Sequence, residues 1–440
     1  MSVKTIPSVE LEYMYGQMLY EVRQTFVNQC TDVLNLRMND DPINRWIFDQ
    51  LSTPGDHPII RDVKSFLTSP IILNEINNKL PAPLYIPWTE REKPGGKTYN
   101  ILKMYIQAGQ RIVKGRSDAI QCVKGLNRAS NIVFGRHLVS ADVKDAIEIL
   151  KTECSPFLVQ HLQPKVKIVM ERTYKCLESW MSKAPETPSK VEIIVKLRSI
   201  CLRYRSDDIF ISDDHYNKLY DLLTNKVITN ISDAKGMVDE LIYCCTRRYH
   251  TLFGASGANY HAAAPPSVFR ILQDEFGVTQ ECFASPFNAY FSTFCSAFPD
   301  IDQYFGSKGS FFDFKPVTGS FEVGPPYVAE VMLKTVNHLE LLLESSEALS
   351  FVLFVPEWRD PIAEYHNIAD KSKYLRSSFV SEGGKHKYLK GDQQYMLYAD
   401  ERTFTIPFNT VCYILQNDAG SQKWPVTKKN MNLLKEAMSL

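Results

Sequence analysis

Apolar positions recur at three- and four-residue spacing through the first half of the chain. Leu11 to Val33 carries Met14, Met18, Leu19, Val22 and Phe26 in one stripe, which predicts a long helix. Ser189 to Arg205 has a similar period through Ile193, Ile194, Leu197, Ile200 and Cys201 and predicts another. Ser212-Asp213-Asp214 then caps a further helix through Leu222. Pro-rich connectors, Lys79 to Pro87 and Ala184 to Pro188, separate such stretches. The pattern changes after Arg248. Leu252 to Pro266 is rich in Gly and Ala and ends in Pro-Pro, a linker signal. Beyond it short apolar runs alternate with amphipathic helices. Helices are predicted at Ser267 to Phe276 and Val328 to Glu344. Strands are predicted at Glu281 to Ala284, Ser320 to Val323 and Leu349 to Val355, with a closing pair at Phe404 to Ile406 and Thr410 to Leu415. Leu349 to Val355 is almost unbroken in its apolar character, the mark of a buried central strand. The alternation predicts an α/β domain with a largely parallel sheet over 267–440. A mainly α-helical domain over 1–250 and a linker at 251–266 precede it.

Composition narrows the function classes. The 440 residues suffice for two or more domains. Lysine plus arginine balances aspartate plus glutamate at a formal net charge of zero, so nucleic-acid binding has to rest on local clusters. The ten cysteines are scattered without a C-x-x-C pair, the usage of a reducing compartment and not of a zinc site or disulfide framework. No apolar h-region follows Met1, and no run is long enough to span a bilayer. A soluble intracellular protein with no membrane partner is expected. No Walker loop, Ser-His-Asp order or metal cluster stands out, so no metal is expected. His261 and His338 read as structural.

The segment Phe321-Glu322-Val323-Gly324-Pro325-Pro326-Tyr327 reads as a strand that runs into a rigid Pro-Pro corner ending in an aromatic ring. Enzymes that methylate the exocyclic amine of adenine carry such a corner, usually with a polar residue before the prolines. That amine is a poor nucleophile because its lone pair is delocalised into the ring. A site must hold the base flat, accept hydrogen bonds from the amine and aim it at a sulfonium methyl. Tyr327 supplies a ring for stacking, worth roughly 1–3 kcal/mol. The carbonyls of Gly324 and Pro325 are candidate acceptors, and Pro326 stiffens the turn. Gly324 has no side chain to add a further acceptor, a loss worth roughly 10²–10³ in rate if it behaves as a lost oxyanion-hole donor does. Two other strand ends, Ala284 to Asn288 and Pro356-Glu357-Trp358, carry turn-formers with polar or aromatic groups. In open α/β sheets ligands sit beyond such ends, and the three suggest a shared crevice. The plain alternative is that Pro and Asn simply terminate strands.

A family resemblance rests on long stretches in order: Glu281-Cys282-Phe283-Ala284-Ser285-Pro286-Phe287-Asn288, Cys295-Ser296-Ala297-Phe298-Pro299-Asp300, Tyr304-Phe305-Gly306-Ser307, Gly319-Ser320-Phe321-Glu322, Leu342-Leu343-Glu344-Ser345-Ser346, Phe354-Val355-Pro356-Glu357-Trp358 and Leu415-Gln416-Asn417-Asp418. Ser267 to Trp424 resembles the catalytic domain of the phosphorylated-CTD-interacting factor family, cap-specific adenosine N6-methyltransferases. The resemblance implies a Rossmann-like class I methyltransferase domain and S-adenosylmethionine as methyl donor. The implied substrate and partner is capped mRNA, methylated at the 2′-O-methyladenosine beside the cap. It also implies the nucleus, although the residues alone leave the compartment open. In the family the corner reads Asn-Pro-Pro-Phe. Here it reads Gly-Pro-Pro-Tyr, which keeps the ring, loses the amide and leaves a non-catalytic cap- or RNA-binding homologue as the alternative. Animal members carry a WW module that reads the phosphorylated polymerase tail. Trp46 and Trp88 lie too far apart to form one, so no WW-mediated binding is expected. A monomer is expected.

Under this resemblance, Phe283, Ala284, Ser285, Pro286 and Asn288 are candidates for the methionine side of the cofactor. Asp300, Asp302 and Asp313 are candidates for ribose hydroxyls or, more plainly, surface or capping aspartates. Phe305 is a candidate for the cofactor's adenine, or core. Glu357 and Trp358 are candidates for substrate contact. A basic stretch of Lys93, Lys97, Lys103, Arg111, Lys114, Arg116, Lys124, Arg128 and Arg136 suits RNA phosphates, with Lys103, Arg111 and Lys114 on one face. A second group, Lys371, Lys373, Arg376, Lys385, His386, Lys387 and Lys390, surrounds Gly383-Gly384 and suits the cap triphosphate as a loop. Solvated charged faces are the plain alternative for both.

Overall fold

The computed structural model describes residues 7–53, 58–79, 97–134, 140–226, 234–253, 261–390 and 403–439. In chain order the elements are helices α1 (Val9–Leu34), α2 (Asp41–Leu51), α3 (Pro70–Lys79), α4 (Lys97–Val113), α5 (Ile120–Val133), α6 (Ser140–Ile149) and α7 (Ser155–Met181). Strands β1 (Glu192–Lys196), β2 (Ser199–Tyr204) and β3 (Asp207–Ser212) follow, then α8 (Asp213–Lys226), α9 (Ala234–Phe253) and α10 (Pro266–Phe276). Next come β4 (Val278–Glu281), the single turn α11 (Pro299–Asp302), β5 (Gly319–Val323), α12 (Ala329–Leu342), β6 (Leu349–Pro356) and α13 (Glu364–Lys371). The chain closes with β7 (Leu375–Ser381), β8 (Lys387–Leu389), β9 (Thr403–Thr405), β10 (Thr410–Gln416), α14 (Asp418–Lys423) and α15 (Lys428–Met438).

Two compact units divide these elements. One is drawn from Glu21–Trp46 and Val63–Ser182, and among the described residues its regular elements are all helices. Their apolar stripes, such as Leu102 and Ile106 on α4, Leu126 and Val133 on α5, and Leu158 and Leu162 on α7, are fully buried. The other is drawn from Met1–Tyr20, Ile47–Asp62 and Lys183–Leu440 and holds the three sheets found among the described residues.

The main sheet has the order β4-β5-β6-β10-β7. β4, β5 and β6 run parallel, while β10 lies antiparallel between β6 and β7. The sheet is therefore mixed, not largely parallel as the alternation alone suggested. β6 is buried at all eight positions, as its unbroken apolar run predicts. Its side chains alternate between two cores. Phe351, Leu353 and Val355 pack with Met332, Val336 and Leu339 of α12 and with Tyr365 of α13. Val352 and Phe354 pack with Val268, Leu272 and Phe276 of α10 and with Leu434 and Met438 of α15. Each such side chain contributes about 1.5–3 kcal/mol by burial. Gly277 closes α10 with a φ of 66°, in the left-handed region open to glycine.

Three further expectations need correction. Ser189 to Arg205 is not a helix but the β1–β2 hairpin, paired from Glu192 with Arg203 to Lys196 with Ser199. Short apolar runs fit either period, and Ile193-Ile194-Val195 is a β-branched run that favours the strand. The turn residue Arg198 sits at φ 61° with no glycine or asparagine to signal it. The strand expected at Glu281 to Ala284 ends at Glu281, so the residues after it form the strand's exit. The closing strands do not pair with each other: β9 pairs with β8, and β10 enters the main sheet. Ser212 does cap α8, its Oγ accepting from the His215 N–H at 3.1 Å.

Candidate active site

The exits of β4 and β5 are tied together where they leave the sheet. The Cys282 N–H donates to the Glu322 carbonyl at 2.8 Å, and the Ala284 N–H donates to the Cys295 carbonyl at 2.9 Å. Both exits open on one crevice with about 710 Å³ of space, including its open mouth. Phe283, Ala284, Ser285 and Asn288 line it from the β4 exit, and Gly324 and Pro326 line it from the Pro-Pro corner. Crevices beyond the carboxyl ends of parallel strands are where such sheets bind ligands.

The remaining walls come from distant parts of the chain that sequence reading did not bring in. Phe48, Leu51 and Ser52 come from the end of α2, Tyr249, Leu252 and Phe253 from α9, and Ser310 to Phe312 from the loop before β5. Lys334 on α12 holds the end of α2, its Nζ donating to Asp49 Oδ1 at 2.7 Å and Ser52 Oγ at 2.8 Å. His261, expected to be merely structural, also faces this space. Its ring stacks on Phe253 at 4.7 Å and on Tyr249 at 5.3 Å, and its Nε2 shares a hydrogen bond with Ser285 Oγ. Ser285 Oγ and N–H both donate to Asn288 Oδ1, at 2.9 and 2.8 Å. A single His after a Gly/Ala-rich stretch gave no signal of this network.

At the corner, Tyr327 is half-buried. Its hydroxyl lies 3.0 Å from that of Tyr388, and its ring meets Phe408 edge-on at 5.9 Å. Burial first, and then Tyr388, push the phenol well above its usual range. The Pro326 carbonyl accepts from the Val328 N–H at 2.7 Å. Pro325 is buried. Behind Gly324 lies Glu322, only 5% exposed. A Cβ on Gly324 would come within 2.7 Å of Glu322 Oε1.

Several candidates lie away from the crevice lining. Asp302 is fully buried, its carboxyl accepting from the Tyr249 hydroxyl at 2.6 Å, and burial pushes its pKa up to about 7. Asp300 is engaged by Arg248 at 3.0 Å, and Asp313 is exposed. Phe305 is fully buried, in agreement with its plain reading as core. Pro286 is buried within the β4 exit. At the end of β6, Glu357 accepts from Asn409 Nδ2 at 2.8 Å, and Trp358 is 39% exposed against Tyr365. Neither residue lines the crevice.

The basic groups divide likewise. Lys385 and Lys387 are exposed. His386 is not available to a phosphate: it is 1% exposed, with Nδ1 on the Glu382 carbonyl and Nε2 on Thr410 Oγ1, and burial lowers its pKa. Gly383-Gly384 is a turn between β7 and β8 fixed by Asn409 Oδ1 and the Ile406 carbonyl, not a loose loop. In the helical unit Arg111 and Lys114 are exposed, Lys103 lies 5.1 Å over the Phe134 ring, and Arg116 is held by Asp118 and His161. Lys93, Trp88 and Arg136 lie outside the described residues, as do 254–260 of the expected linker.

A family model described as the phosphorylated CTD interacting factor 1 WW domain matches residues 216–391. The chain is 29% identical over 479 aligned residues to mRNA (2'-O-methyladenosine-N(6)-)-methyltransferase of Homo sapiens, a match covering 98% of this chain and 67% of the relative. The protein of the same name from Mus musculus is 28% identical with the same coverage. The chain is similar over nearly its whole length to these methyltransferases, and over 216–391 to the phosphorylated-CTD-interacting factor family model. The WW domain in the family model's description stands against the expectation of no WW module. The matched residues run from within α8 into the β8 region and contain one tryptophan, Trp358.

Proposed function

We propose that this protein transfers a methyl group from S-adenosylmethionine to the exocyclic amine of the 2′-O-methyladenosine beside an mRNA cap, on a Rossmann-like class I methyltransferase domain. One observation carries the reading: the exits of β4 and β5, with the residues that resemble the family's cofactor and base sites, open on one crevice. Its lining suits the cofactor. Phe283, Phe311 and Phe312 offer apolar faces to an adenosyl group, and the fixed Ser285–Asn288 pair offers polar atoms to its amino-acid end. The cofactor supplies an electrophilic methyl on a sulfonium. The chain's own part is positioning. The proline-locked corner limits where the base lies, and the aromatic walls exclude water from the amine. Exposed Lys385, Lys387, Arg111 and Lys114 favour RNA phosphates, which add affinity without reading sequence.

A second reading, a cap- or RNA-binding homologue without turnover, is favoured by Gly324 in place of the family's asparagine. Incubation with methyl-labelled donor and capped 2′-O-methyladenosine RNA, followed by nucleoside analysis, separates the two. Label in N6-methyl product, and less of it on uncapped RNA, is the expected result. RNA binding with no transfer at any enzyme concentration supports the second reading.

A further inference from the structure

The corner lacks the amide of its relatives, yet the position is not empty. Glu322 precedes Gly324 by two residues, so both side-chain positions fall on the same face of the strand's path. Its Oε1 stands 2.7 Å from where any side chain at Gly324 would begin, and Gly324 lines the crevice. Among the described residues, the Glu322 carboxyl takes part in no hydrogen bond and no ion pair. A nearly buried carboxyl without a protein partner costs stability, and a ligand in the adjacent crevice would complete it. We infer that Glu322 is the side chain that meets the adenine, its carboxyl reaching past Gly324 to hold the amine in place of the missing amide. The inference rests on the methyl-transfer reading above.

The chemistry of the group fits. Burial pushes Glu322 well above the usual carboxylate range, and the neighbouring Glu281 carboxyl adds to this. A neutral acid presents one C=O acceptor and one O–H donor side by side, as an asparagine amide presents C=O and N–H. Adenine offers the complement, an amine donor beside a ring-nitrogen acceptor. In the transfer, the amine nitrogen bonds to the methyl carbon, the electron pair of the broken C–S bond stays on sulfur, and the surplus amine proton leaves to solvent. Glu322 forms no covalent bond. It orients the amine and remains protonated.

Methyl transfer to capped 2′-O-methyladenosine RNA tests this in four proteins: the parent, Glu322→Ala, Glu322→Gln, and Glu322→Ala combined with Gly324→Asn. The expected result is a loss of roughly 10²–10³ in kcat for Glu322→Ala, the scale of one lost preorganised contact. Glu322→Gln keeps an acceptor and a donor in place and stays within about tenfold of the parent, on the same scale. The double variant, with an amide restored at position 324, recovers at least about tenfold over Glu322→Ala. The thermal midpoint of Glu322→Ala holds or rises, because an unpartnered buried carboxyl has been removed. Parental transfer by Glu322→Ala overturns this inference and leaves the proposed function standing. A lowered midpoint together with an inactive double variant marks Glu322 as structural and also overturns it. No transfer by the parent overturns the methyl-transfer reading and this inference with it.

Discussion

Arg248 and Glu322 are both ionisable side chains buried in the sheet-bearing unit, yet one is saturated with partners and the other has none among the described residues. Arg248 is 1% exposed and holds Glu12 through two bonds, Nε at 2.7 Å and Nη2 at 2.5 Å, while Asp300 accepts from its other face at 3.0 and 3.2 Å. Burial alone would lower its pKa, but the Glu12 carboxylate and then Asp300 outweigh that and hold it above the ordinary value. The carboxyls at the strand exits form no ion pair of this kind among the described residues. Glu281 accepts only backbone N–H groups, from Tyr290 at 2.8 Å and Phe291 at 2.9 Å, and burial lifts its pKa to about 7 despite Lys218 nearby. Glu322 has not even those contacts. Buried charge that serves the fold is neutralised within it, whereas the perturbed carboxyls Glu281 and Glu322 sit at the ends of β4 and β5, beside the segments that line the crevice, and perturbed groups near such a space are candidates for function.

The contrast can be broken most forcefully at Arg248. Arg248→Ala leaves Glu12 buried and unpaired and is expected to cost about 3–5 kcal/mol in denaturant unfolding. A cost below about 1 kcal/mol would mean that the cluster is not the anchor its geometry indicates. Next in size is a pH effect at Asp302. Its folded pKa, about 7, lies above the unfolded value of 3.8, so the folded state holds the proton more tightly. Its contribution is intact below the unfolded value and is lost as pH rises toward 7, by up to about 4 kcal/mol. Asp302→Asn should flatten stability against pH over that window, and an unchanged slope would reject Asp302 as its source. A smaller effect is expected at Tyr327→Phe, which removes the hydrogen bond with Tyr388 but keeps the ring, for about 1 kcal/mol of stability. If the ring stacks on the base, transfer survives this change, while Tyr327→Ala costs roughly a further 1–3 kcal/mol in RNA binding. Smallest is Lys385→Ala. Its partner Glu382 is exposed, so stability should move by less than about 0.5 kcal/mol while affinity for capped RNA falls and its salt dependence weakens.

Much of the sheet was legible because its chemistry is local. Leu349 to Val355 has no polar residue but Ser350, and only a strand buried on both faces accepts such a run. The Pro-Pro corner announces itself because proline fixes its own backbone and stops the strand. The meander of β1 to β3 was misread because apolar spacing there fits both periods and its turns carry arginine, Arg198 and Arg205, where glycine or asparagine would have signalled a hairpin. The far walls of the crevice were illegible for another reason. Phe48, Tyr249 and His261 are ordinary core-forming residues until folding places them opposite Ser285, and no local pattern encodes that meeting. Asp302 and His386 were credited with ligand contact on residue type alone, and burial decides against both.

The placement of β10 has a consequence for synthesis. β7 pairs with no main-sheet strand but β10, and β6 needs β10 to cover its far edge. As the ribosome releases the chain, β4, β5 and β6 can assemble early, but Thr410–Gln416 emerges after all of them. Until then a nascent chain carries one strand with a bare row of amides and carbonyls and another without a sheet to join, a vacancy into which a neighbouring polypeptide's strand can slot.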